Sequence, residues 1–161
     1  IAGQNFEAKN FARVRETFTW SGILTCSLMA VLTLVCLGQA QFLLQGFSED
    51  VEVILISATF LQIICWNFVP SGLVFTCSGM FQSLGNTWPA LLSTATRLLT
   101  FIFPAVWLSQ QSDFYIEQIW YLSVTTVCIQ ASVSFYLLRR EFKKRLPKEE
   151  GDKQAETEVI A

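Results

Sequence analysis

Histidine is absent from this chain of 161 residues, charge is scarce, and cysteine follows no pattern. Without histidine there is no imidazole to hold a metal, act as a base or relay a proton. The five cysteines, Cys26, Cys36, Cys65, Cys77 and Cys128, lie singly in apolar stretches. None has metal-ligand or redox-pair spacing, so they read as packing residues. No metal site and no cofactor are expected. Charged residues make up 15% of the chain, against about 25% in an ordinary soluble domain. Their distribution is also uneven: between Thr17 and Leu138 the sole cation is Arg97. That leaves no basic stripe to neutralise phosphates and excludes nucleic acid as a partner. The chain opens on Ile1 with no cationic-then-apolar leader and reads as the carboxyl-terminal part of something longer.

The stretches between the charges are apolar, and each exceeds the ~20 residues that cross a hydrocarbon core. They predict an all-α integral membrane protein with four transmembrane helices, over 18–44, 53–83, 88–108 and 116–138. Residues 1–17 then form a cytoplasmic loop, 18–138 the membrane region, and 139–161 a basic and then disordered tail. Lys9, Arg13 and Arg15 precede the first span, and Arg139, Arg140, Lys143, Lys144 and Arg145 follow the fourth. By the positive-inside rule both ends face the cytoplasm of a plasma (inner) membrane. The loops holding Glu49, Asp50 and Asp113 then face outward. Trp20, Trp88 and Tyr136 fall near the inner interface, and Trp107, Tyr115, Trp120 and Tyr121 near the outer one. The basic cluster at 139–145 is read as a stop-transfer anchor, with anionic lipid as the alternative ligand.

The second span is the most informative. At about 100° per residue, Asn67, Ser71, Ser78 and Gln82 share one arc, while Gly72, Thr76, Gly79 and Ser83 share another. The small-residue arc lets a neighbouring backbone come close. The polar arc faces protein or water, either lining a cavity or bonding to other helices. Pro70 removes a backbone hydrogen bond and predicts a kink. In the third span Ser93, Arg97, Thr100 and Pro104 share a face, and Pro104 is a second candidate kink. Arg97 lies about 13 Å along the helix from Trp88, near the bilayer midplane. A central arginine is expensive in lipid, so it faces the bundle interior, water or a carboxylate, or else snorkels to the inner interface. The first span carries a small face, Gly22, Cys26, Met29, Thr33, Cys36 and Ala40, explained by packing. The fourth shows scattered Ser, Thr and Gln130 and reads as a peripheral helix. In the second loop, Gly85 allows a tight turn and Asn86 or Thr87 can cap the next helix, with Pro89 near its first position.

Several of these runs resemble the multidrug and toxic compound extrusion (MATE) transporters. Gly3-Gln4-Asn5-Phe6, with Ala8, Asn10 and Arg13, is similar to that family's GQN-x-G-A-x-N-x-x-R loop. The run from Ser78 to Thr87 resembles its G-x-x-x-G-x-G-[DN]-T turn, and Arg97 with Pro104 its arginine–proline pair. The resemblance implies helices nine to twelve of a twelve-helix, two-lobe antiporter. Such a protein exports amphipathic, often cationic drugs or metabolites against a sodium or proton gradient, by alternating access. Trp66, Asn67, Ser71 and Arg97 would then be cavity residues. The partners would be membrane lipid, small-molecule cargo and the remaining helices. Two departures stand out. Glu7 replaces a glycine of the loop. Some sodium-coupled members carry a carboxylate near Ser71, whereas these spans hold no central acid, which places ion coupling outside this chain. A lipid-linked oligosaccharide flippase of the related superfamily and a non-transporting four-helix membrane adaptor are the alternatives. An intramembrane enzyme has neither paired carboxylates nor a nucleophile elbow to work with.

Overall fold

In the computed structural model, residues 1–47, 50–111 and 114–146 are described. The tail from 147 onward and the acids Glu49 and Asp113 lie outside them. Six helices follow in order: α1 (Ala2–Glu7), α2 (Phe11–Gln45), α3 (Val51–Ile64), α4 (Phe68–Ser83), α5 (Trp88–Ser109) and α6 (Ile116–Arg145). A single 3-10 turn, Cys65–Asn67, joins α3 to α4. Four stretches are long and apolar enough to cross a membrane: α2, the broken α3–α4 unit, α5 and α6. At 22 residues, α5 is about 33 Å long, matching the hydrocarbon core.

Much of the segment before the first span, expected as a loop, is helical. α1 packs on α2, and the side chain of Asn10 caps α2 by accepting the Arg13 N–H at 3.3 Å. The left-handed residue of this elbow is Lys9 (φ 59°), two places beyond Glu7. Glu7 therefore occupies the end of a helix rather than the turn, and a side chain fits there.

The second span is interrupted one turn before Pro70. A proline ring displaces the carbonyl of the residue four back, here Trp66, and cannot donate to it. The chain tightens to a 3-10 turn over that stretch, and the Thr33 hydroxyl of α2 reaches the Cys65 carbonyl at 3.1 Å. α5, by contrast, continues unbroken through Pro104. α2 carries its own bend at Gln39 (φ −129°, ψ 22°).

The fourth span is not peripheral. A third of the apolar stretch of α6 is buried, against 6% for α2 and α5, and α6 packs on α3, α4 and α5. Its inward face is Thr126, Val127, Gln130, Ala131, Ser134 and Leu138, at alternating steps of one, three and four residues. The Ser93 hydroxyl of α5 hydrogen-bonds that of Ser134 on this face.

One end of the bundle is tied tightly. Phe81, Val14, Leu84, Leu138 and Leu146 are buried together, with Cys77 and Met80. Gly85 takes a positive φ of 69° so that the Asn86 N–H can close back on the Phe81 carbonyl. Neither Asn86 nor Thr87 caps α5 with its side chain. Asn86 instead donates to Glu141 of α6 at 3.0 Å, and Glu141 pairs with Arg145, also at 3.0 Å. Arg145 donates to the Leu84 carbonyl and Arg15 to the Leu146 carbonyl, both at 2.8 Å.

Candidate functional site

Away from this tied end, α4 and α5 part. They share a short turn, but α5 packs mainly on α6 and touches α4 only lightly. Between them opens a cleft of about 440 Å³, within the range of small-molecule sites. Four residues of α4, Ser71, Val74, Phe75 and Ser78, form one wall, and four of α5, Thr94, Arg97, Leu98 and Phe101, the other. Both sets follow the spacing i, i+3, i+4, i+7, which is one face of a helix. Ser123 and Gln130 of α6, also seven apart, form the floor.

The charge in this cleft is of one sign. Arg97 is its only ionisable residue, and no carboxylate among the described residues lines it. Nor does Arg97 make a hydrogen bond or ion pair with any described residue. Several threonines of the spans turn their hydroxyls back onto their own helices, as Thr94 does to Ala90 and Thr76 to Gly72. The hydroxyls of Ser71 and Ser78 make no such bond and open on the cleft. Gln130 is 5% exposed, yet its amide also has no partner among the described residues.

The other candidate cavity residues are placed differently. Trp66 lines a separate hollow with Thr59, Gln62, Ile63, Tyr121 and Val124. Five residues at about 100° each set Trp66 roughly 140° round the helix from Ser71, so the two open on different sides. Asn67 stands between the two hollows, donating to Ser123 at 3.5 Å, while its carbonyl oxygen is buried without a partner. Ser71 and Arg97 therefore share one cleft, and Trp66 belongs to another.

The small-residue arc divides as well. A Cβ on Gly72 would stand 3.0 Å from the Thr25 methyl and 3.1 Å from the Met29 side chain, so here α2 and α4 do approach closely. Ser83 meets Gly3 of α1. Thr76 is half-buried and bonded within its own helix. Gly79 has nothing within 4 Å of such a Cβ and serves no close contact among the described residues. On α5 the expected shared face splits: Ser93 turns to α6 and Arg97 to the cleft.

Sequence reasoning missed Thr94, Ser123 and Gln130. An amide in the middle of an apolar span was the available signal for Gln130. The repeated four-residue spacing around Ser71 and Arg97 was the signal for the opposed walls.

No curated protein matches the chain. Residues 1–107, well over half of it, match the MatE family. The motifs at Gly3–Asn5 and around Gly85, and the pair Arg97 and Pro104, all lie within that stretch. With four membrane-length helices and a polar cleft between two of them, the chain belongs to the MATE (multidrug/toxin extrusion) family, whose members are transporters and not enzymes.

Proposed function

We propose that this chain forms helices nine to twelve of a twelve-helix, two-lobe antiporter of the plasma (inner) membrane. It exports amphipathic, often cationic drugs or metabolites by alternating access, driven by a sodium or proton gradient. The observation that carries this reading is the cleft between α4 and α5. It lies along the apolar spans, is walled by Val74, Phe75, Leu98 and Phe101, and is supplied with polar groups that have no partner among the described residues. A polar lining of this kind is tolerated in a bilayer only where it meets water, protein or cargo. The tied end, with Arg15 and the cations of α6, faces the cytoplasm in this reading.

In the cargo path, Ser71 and Arg97 contribute from the cleft and Asn67 from its edge. Trp66 contributes from the second hollow, where it and Tyr121 are 59% and 60% exposed. Aromatic faces of this kind attract an organic cation. Coupling-ion ligands lie outside these helices, because no acid lines either hollow among the described residues.

The test is transport by the full-length protein in proteoliposomes, with ethidium as the lipophilic cation and an imposed sodium or proton gradient. The reading expects uptake that stops when the gradient is collapsed. Gradient-independent movement of a lipid-linked saccharide, with no ethidium uptake, would favour the flippase. No movement of either would favour the adaptor.

A further inference from the structure

We infer that the Arg97 cleft is a binding site for the carboxylate of an amphipathic organic acid. The inference rests on the transport reading above, and deepens it by assigning a ligand class to one of the two hollows.

The argument starts from charge. Arg97 is held about 13 Å from the Trp88 end of α5, at a depth where an unneutralised guanidinium is costly. It does not escape that cost by pairing inside the chain, because it has no hydrogen-bond or ionic partner among the described residues. An anion is therefore the group the cleft is short of. Guanidinium presents a planar fork of donors that matches a carboxylate in a two-point contact.

A second observation points the same way. Gln130 is 95% buried on the floor of the cleft, where its amide N–H groups are left without an acceptor among the described residues. Its polar atoms open on the cleft, so a ligand seated there can accept from the amide N–H in place of water. Ser71 and Ser78 add two hydroxyls from the opposite wall that have no partner among the described residues. Together they form a donor-rich set around a single cation with no competing carboxylate.

The remaining lining fixes the rest of the ligand. Val74, Phe75, Leu98 and Phe101 are apolar, and two are aromatic, which suits an aryl or alkyl body behind the acid. A phospholipid phosphate fits less well, since headgroups lie at the interface and not at the depth of Arg97. An amphipathic organic acid can enter the cleft as its carboxylate, its charge offset by Arg97 and its apolar body by the walls.

The experiment uses the purified full-length transporter in nanodiscs and three matched probes: 2-naphthoate, its methyl ester and 2-naphthylmethylammonium. Equilibrium dialysis is expected to show naphthoate bound at least about tenfold more tightly than the ester. Arg97→Gln should remove that preference while leaving the weak ester binding unchanged. Arg97→Lys should keep the preference at a reduced level, because charge remains and the fork is lost. Gln130→Leu should weaken naphthoate about threefold. A melting curve for each variant establishes that it is folded.

Equal binding of acid and ester by the folded wild type would overturn the inference, and so would an acid preference that survives Arg97→Gln. No naphthoate binding to the folded wild type would also overturn it, and would assign the partner of Arg97 to a carboxylate elsewhere in the protein. The ethidium assay separates this from failure of the transport reading. Intact ethidium transport without naphthoate binding sinks only the carboxylate site. Naphthoate binding without any transport sinks the transporter and leaves the site.

Discussion

The tied end of the bundle and the cleft in its middle are built from similar residues and treat them in opposite ways. At the tied end four long polar side chains have a destination: Arg15 on the Leu146 carbonyl, Arg145 on Leu84 and Glu141, and Asn86 on Glu141. Around these bonds Phe81, Val14, Leu84 and Leu138 close without exposed surface. In the cleft Arg97, Gln130, Ser71 and Ser78 have none among the described residues. Polar groups that are paired across helices specify structure, and polar groups left open on a cleft are available to something that is not part of the fold. On this contrast the α4–α5 turn with the end of α6 is the rigid joint, and the cleft above it is the working surface.

Substitutions can break or sharpen the contrast. The largest effect on stability is expected from Phe81→Ala at the joint. Phe81 is fully buried, and its loss should cost about 3–5 kcal/mol. The melting temperature of the purified protein checks it, and an unchanged value would refute the joint. Next comes Gly72→Leu, which drives a side chain into Thr25 and Met29 and should cost about 1–3 kcal/mol. The matched Gly79→Leu should leave the melting temperature unchanged, as nothing stands within reach of its Cβ.

A smaller effect is expected from Glu141→Gln. It weakens the pairing with the partly exposed Arg145 and should lower stability by up to about 1 kcal/mol, less at high salt. The smallest is expected in the cleft: Ser71→Ala and Arg97→Gln should not lower the melting temperature, yet should reduce transport. Equal loss of stability at cleft and joint would dissolve the distinction between them.

Much of this architecture was legible in the sequence. Four apolar runs, sparse charge and the positions of Pro70 and Gly85 are local signals, and local geometry follows from them. The central position of α6 was not, although its buried set recurs at helical spacing from Thr126 to Leu138. Ser and Thr are compatible with either lipid or protein when their hydroxyls fold back on their own helix, so composition does not separate an inner from an outer face. Arg15 and Arg145 were legible as topological charges. Their use as caps on Leu146 and Leu84 depends on partners far along the chain. Trp66 was a cavity candidate through the family resemblance alone: five residues at about 100° each set it roughly 140° round the helix from Ser71, and it lines the second hollow.

The central claim is that the α4–α5 cleft opens to water in the working transporter. The direct measurement is labelling of Ser71→Cys, in a full-length background cleared of its native cysteines, with a membrane-impermeant anionic methanethiosulfonate. Gly79→Cys serves as the comparison on the same helix. The account predicts that Ser71→Cys reacts, reacts more slowly in the Arg97→Gln background, and is protected by cargo, while Gly79→Cys stays unlabelled. A Ser71→Cys that stays unlabelled in every state, with Gly79→Cys reacting instead, would contradict it.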